Sequence, residues 1–211
     1  MRTLHLFCFF LLWRPCLAVP PGSSHGSDDK PLLDPAGLLA SWNSSNYLCS
    51  WRGVVCGLRH PERVISLQMN SFGLAGRISP SLGNLSFIRE IDLGNNHLEG
   101  QIPEELGQLR RLQVLNLTWN LLEGSIPEAL GRCTQLSYLN LGMNHLQGEL
   151  PSEIGSLKNI VFLKLFRNHL SGQIPQSLAN LSSIKLLDLG NNTFSGAFPS
   201  YLDKLPHPSF L

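Results

Sequence analysis

From Val64 onward the apolar residues return to the same places every 24 residues. Units beginning at Val64, Ile88, Leu112, Leu136, Ile160 and Ile184 align without insertion and run to position 207. In each unit the first, fourth and sixth places are apolar, as in Ile88, Ile91 and Leu93, while the third, fifth and seventh vary. That alternation predicts a short strand whose fourth and sixth side chains point inward and whose third, fifth and seventh point to the opposite face. Further on, the eleventh place is apolar again (Leu98, Leu122, Leu146, Leu170, Phe194) and the thirteenth is always Gly, which permits a turn. An aliphatic-Pro step follows in five units (Ile102-Pro103, Ile126-Pro127, Leu150-Pro151, Ile174-Pro175, Phe198-Pro199), fixing φ where no strand bond is needed.

The ninth place is Asn in five of the six units (Asn96, Asn120, Asn144, Asn168, Asn192) and Phe72 in the first. The resulting spacing, L-x-x-L-x-L-x-x-N-x-L, is the leucine-rich-repeat signature, and six copies in register exclude chance. The fold class read from it is α/β, a solenoid of six 24-residue coils over 64–207, with an incomplete seventh beginning at 208–211. Its parallel strands line the concave face at about 4.8 Å spacing. The Asn amide both donates and accepts. At the turn after the strand it is expected to satisfy backbone groups of its own and adjacent coils, which makes it a structural residue.

Ahead of the repeats, Arg2, the apolar run Leu6 to Trp13 and the small-residue end Cys16-Leu17-Ala18 read as a secretory signal peptide over 1–18. The run is too short to cross a bilayer, and no other stretch is long enough. Residues 19–33 carry Pro, Gly, Ser and Asp with little to bury, so they read as a loose mature N-terminus. Asp34-Pro35 predicts the start of a short helix reaching Trp42, within an N-terminal cap over 34–63. Secretion frames the cysteines: Cys49 and Cys56 flank Trp51 just before the first repeat and are expected to form a disulfide. Cys133 holds the twenty-second place, where other coils carry Leu, and reads as a buried free thiol. The formal net charge is +1, and without Arg2 and Arg14 the 16 basic residues fall to 14 against 15 acidic ones. A balance so even implies no polyanion or nucleic-acid partner.

The element Cys49-Ser-Trp-Arg-Gly-Val-Val-Cys56 after Ser41-Trp42-Asn43, followed by repeats ending in G-x-I-P-x-x-L-G-x-L, resembles the ectodomain of plant leucine-rich-repeat receptor kinases. The resemblance spans roughly 34–211, and the segment Asn84-Leu-Ser-Phe-Ile-Arg-Glu90 is most similar to the immune-receptor branch. It implies a plant-type repeat, a full-length relative with a membrane anchor and cytoplasmic kinase, and a recognition role. Two departures stand out. The family's Ala-Leu-Leu-x-Phe-Lys helix is replaced by Asp29-Lys30-Pro31-Leu32-Leu33, which shortens the cap, and the chain stops within a repeat. The expected function is therefore an extracellular module that binds a peptide, a protein or a co-receptor. Alternatives are a secreted inhibitor of a cell-wall-degrading enzyme, a soluble decoy or co-receptor, and a truncated product with no function of its own.

Specificity is expected at the places the period leaves free. In the third to fifth coils these gather Val114, Trp119, Tyr138, Met143, Phe162, Lys164, Phe166 and Arg167, large apolar groups flanked by cations, as at binding hot spots. Five Asn-x-Ser/Thr sequons mark candidate glycosylation sites: Asn43, Asn84, Asn116, Asn180 and Asn191. Asn84 and Asn180 share the twenty-first place on the flank and are the favoured pair; a glycan on Asn116 would sit on the strand face and compete with binding beside Val114. His97, His145 and His169 share the tenth place and read as exposed turn residues rather than metal ligands or a pH sensor. No nucleophile elbow, P-loop, dinucleotide fingerprint or zinc spacing occurs, and Asp92 and Asp188 lie four coils apart, so neither catalysis nor a cofactor is expected.

Overall fold

The computed structural model describes residues 47–196, 199–205 and 209–210. The signal segment, the loose N-terminus, the helix expected from Asp34 and the Asn43 sequon lie outside the described residues. The fourth and sixth places bury their side chains inward, and successive coils stack them into one continuous core that also takes in the first, nineteenth and twenty-second places. Among the described residues the concave sheet has eight strands: Val54–Cys56, Val64–Gln68, Glu90–Asp92, Val114–Asn116, Tyr138–Asn140, Phe162–Lys164, Leu186–Asp188 and Ser209–Phe210. The first strand comes from the cap and pairs antiparallel with the first coil's strand; all later pairs are parallel. Register follows the sequence period, with Glu90 opposite Val114, Val114 opposite Tyr138 and Tyr138 opposite Phe162. The same place of each coil therefore forms a row along the stack.

A second sheet, six-stranded among the described residues, runs along the flank: Ala75–Arg77, His97–Gly100, Leu121–Gly124, His145–Glu149, His169–Gly172 and Thr193–Phe194. The sequence pattern did not predict it. These strands carry no alternating apolar run, and in coils one to five they include the thirteenth-place Gly at positive φ, such as Gly100 at 76°. Backbone pairing between coils holds them together: Gly76 faces Leu98, and Gly100 faces Leu122. Opposite the concave sheet each coil makes a short 3-10 turn, as in Glu104–Gln108 and Glu128–Arg132. In five coils the Pro of the aliphatic-Pro step caps that turn; in the first, Ser79 accepts a bond from the Ser81 amide instead.

The ninth-place asparagines form a buried ladder. Asn96 Nδ2 donates to Leu93 O and Gly94 O in its own coil and to Met69 O in the coil before, while its Oδ1 accepts from Leu74 N at 2.9 Å. Asn120, Asn144, Asn168 and Asn192 repeat the arrangement, each accepting from the backbone amide of the preceding coil's eleventh place. Every rung ties a coil to its predecessor, so the first coil, with Phe72, needs no rung of its own. At the N-terminal end Cys49 and Cys56 are joined, and Trp51 between them is buried against the core. Cys133 is buried with its thiol toward Leu106 O at 3.2 Å; burial pushes its pKa up to about 11, against the smaller lowering effect of Arg110.

Candidate functional site: the concave face of the third to fifth coils

The stacking rows divide the concave face into two chemically different parts. Over the first three coils the outward side chains satisfy one another. Glu90 accepts from Ser66 Oγ at 2.8 Å and Gln68 Nε2 at 3.1 Å. Asp92 Oδ1 accepts from Asn116 Nδ2 at 2.8 Å, Asn70 Nδ2 at 3.2 Å and Gly94 N at 3.1 Å. These carboxylates are occupied within the protein, which leaves them less to offer a partner.

From the third coil onward the row at the third place turns apolar. Val114, Tyr138 and Phe162 stand side by side on paired strands, the two rings 6.0 Å apart and tilted by 54°. Lys164 holds its Nζ 6.0 Å from the centroid of Tyr138. With Asp92 and Asn116 these residues line a shallow depression of about 380 Å³, to which Ser137 and Val161 also contribute. Phe162 is exposed despite its size. Phe166, at the seventh place, lays its ring against Gly142: a Cβ there would come within 2.3 Å of the ring.

The remaining three candidates form a second row along the rim. The eighth place takes the left-handed conformation in every coil: Ser71, Asn95, Trp119, Met143, Arg167 and Asn191 have φ between 52° and 61°. Asn suits that conformation, whereas a bulky side chain there is uncommon. The third to fifth coils nonetheless hold Trp, Met and Arg, with Trp119 55% exposed and Arg167 Nη1 3.8 Å from Met143 Sδ. The eight residues thus fall into a strand-face cluster of Val114, Tyr138, Phe162 and Lys164, a rim row of Trp119, Met143 and Arg167, and Phe166 between them in sequence. Sequence reasoning passed over Asp92, Ser137 and Val161 as lining residues and Leu121 as a further exposed apolar group. Ser137 and Val161 occupy the second place, which the strand alternation leaves unassigned.

Around the site, Asn84 and Asn180 are exposed at the ends of their 3-10 turns, and Asn191 is exposed on the rim. Asn116 is half-buried: its Nδ2 is committed to Asp92, and its Oδ1 accepts from Thr118 N. His145 and His169 stack with centroids 5.8 Å apart and ring planes 8° from parallel, both exposed. Among the described residues no group of three or more His, Cys, Asp or Glu is placed to hold a metal, and no helix is long and apolar enough to cross a membrane.

Two family models match the chain. The leucine rich repeat N-terminal domain covers 30–57, and the Leucine Rich Repeat covers 87–109, 111–133, 135–157, 159–181 and 183–205. Among curated proteins, the rice receptor kinase-like protein Xa21 is 57% identical over 72 residues, 31% of this chain and 7% of Xa21. The Arabidopsis LRR receptor-like serine/threonine-protein kinase EFR is 43% identical over 95 residues, 41% of this chain and 9% of EFR. The matched stretches are thus less than a tenth of the length of these relatives. Among solved structures, the Arabidopsis receptor kinase HAESA, in complex with the peptide hormone IDA and the co-receptor SERK1, superposes with a TM-score of 0.78 at 35% identity, over 85% of this chain and 31% of that one. The ectodomain of Arabidopsis BIR2 gives 0.69 at 33% identity, over 78% and 88%.

Proposed function

Since the chain belongs to the leucine-rich-repeat family and is built like the ectodomains of plant leucine-rich-repeat receptor kinases, we propose that it is an extracellular recognition module. Its concave face over the third to fifth coils takes a peptide or protein ligand, with a leucine-rich-repeat co-receptor as a second partner. The observation that carries this is the contrast along the face: a self-satisfied polar lattice gives way to Tyr138, Phe162 and Lys164 around a depression, bordered by Trp119, Met143 and Arg167. An extended ligand laid across coils three to five could bury aromatic surface and meet two cations beside the internal Asp92–Asn116 bond, which borders the depression. The structure of HAESA with a peptide hormone and a co-receptor supports the peptide reading by likeness of fold. The site is a binding surface with no catalytic constellation, and the kinase relatives match it outside their kinase domains. The role belongs in defence signalling and the location in the secretory pathway or outside the cell, as the resemblance of the Asn84–Glu90 segment and the N-terminal leader imply.

The test is a peptide library panned on the secreted chain at physiological salt. Peptides enriched on the wild type should lose at least tenfold in affinity for the triple variant Trp119→Ala, Phe162→Ala, Phe166→Ala, about 1.4 kcal/mol or more. Equal binding to the triple variant, with its melt unchanged, would place the ligand elsewhere.

A further inference from the structure

The near-zero net charge conceals a transverse separation of charge that stacking creates. One flank is the short return from each 3-10 turn to the next concave strand. In the five returns at 85–89, 109–113, 133–137, 157–161 and 181–185 the charged residues are Arg89, Arg110, Arg111, Lys158 and Lys185, all exposed and with no carboxylate among them. Arg63 extends the row toward the cap, with Glu62 as its neighbour at 3.3 Å. The second sheet and the start of the 3-10 turns carry the opposite sign. Across coils two to four this side holds Glu99, Glu104, Glu105, Glu123, Glu128, Glu149 and Glu153; Arg77 of the first coil, paired opposite Glu99, and Arg132 are the cations beside them.

Toward the cap the cations are drawn together, whereas the return at 133–137 carries none. Arg63 and Arg111 stand over one ring, their guanidinium carbons 4.1 and 5.0 Å from the centroid of Phe87, which lies between them in the stack. Arg110 reaches across to the next coil, where its Nη1 donates to Arg132 O at 2.9 Å. The spaces between the cations are filled by exposed hydrogen-bonding side chains, among them Ser86, Gln113, Gln135, Asn159 and Ser183. No large apolar residue is exposed along these returns, so the flank lacks the aromatic or aliphatic anchor that gives a protein interface its core. Its one aromatic ring is occupied by arginines and offers no platform for a nucleic-acid base.

We propose that this flank binds a linear anionic polysaccharide, whose carboxylates or sulfates run along the cation row while its hydroxyls meet the intervening polar side chains. The row crosses about five coil steps of roughly 4.8 Å, a length of about 24 Å that suits an extended polymer better than a single ion. Asn84 and Asn180, at the ends of the first and fifth 3-10 turns in the same row as Arg132, would carry their glycans on the border between the two sides and leave coils two to four open. The flank adjoins the concave depression, which Ser137 and Val161 of the same returns help to line.

The secreted chain should bind immobilised polygalacturonate or dextran sulfate in 50 mM salt, and neutral dextran should fail to retain it. The tighter of the two polyanions identifies the source as carboxylated or sulfated. Affinity should fall at least tenfold between 50 and 200 mM salt, by counterion release. The variant Arg89→Gln, Arg110→Gln, Lys158→Gln, Lys185→Gln should bind at least tenfold more weakly with a shallower salt dependence. The opposite-flank variant Glu104→Gln, Glu123→Gln, Glu128→Gln should bind as wild type does, which separates the flank from a general effect of net charge. The proposal is overturned if neither polyanion is retained, if neutral dextran binds equally, or if the four-residue variant, with an unchanged melt, binds like the wild type. Sedimentation showing self-association that both flank variants abolish also overturns it, in favour of a second copy of the chain as the occupant.

Discussion

Asn144 illustrates how much one side chain can do when its place is repeated. Its amide donates to Leu117 O, Leu141 O and Gly142 O, and its carbonyl accepts from Leu122 N, all in the buried interior. Removing it would leave those backbone groups with no water in reach, so Asn144→Ala is expected to lower stability by about 3 kcal/mol or more in chemical denaturation. A loss below about 1 kcal/mol would mean that water replaces the rung. The rim residues pull the other way. At φ 54° Trp119 holds a conformation that costs an L-residue about 1–2 kcal/mol and that Asn adopts most readily. Trp119→Asn should therefore raise stability by about 0.5 kcal/mol while weakening the panned peptides, a trade of stability against function. A lower melting temperature with binding unchanged would count against a functional reason for that tryptophan.

At the level of the element, the motif contains a Gly whose purpose appears only when coils are stacked. In the 3-10 turns a Cβ on Gly83, Gly107, Gly131 or Gly155 would come within 2.3–2.4 Å of a backbone carbonyl oxygen in the next coil. The glycine thus sets how closely neighbouring turns approach, and the fifth and sixth coils, with Ala179 and Asp203, depart from it. Gly131→Ala is expected to cost about 1–3 kcal/mol by overpacking, read as a lowered midpoint of urea unfolding. An unchanged midpoint would show that the turns can separate freely. The second sheet belongs to this scale too. Its strands at the tenth to thirteenth places have no alternating pattern, because what forms them is the backbone of the neighbouring coil.

Across the whole molecule, flanks and faces acquire their character from rows, one residue per coil. Glycan mapping of the secreted chain tests that reading: Asn84 and Asn180, exposed on one flank, should be occupied, whereas Asn116 should be bare, its amide held by Asp92. Glycan found at Asn116 would show that bond to be dispensable. By itself the sequence determined the coil, its inward leucines, the asparagine rungs and the cap disulfide, because each follows from a local spacing that recurs or from cysteines close in the chain. It also marked the third to fifth coils as the place of the variable aromatics. Only the tertiary structure decided that Tyr138 and Phe162 meet while Trp119 and Arg167 belong to a separate left-handed rim, and that Glu90 and Asp92 are already satisfied. It alone sorted basic from acidic residues onto opposite flanks. These properties arise between residues about 24 positions apart, brought side by side by parallel stacking, and no local pattern or net charge records them.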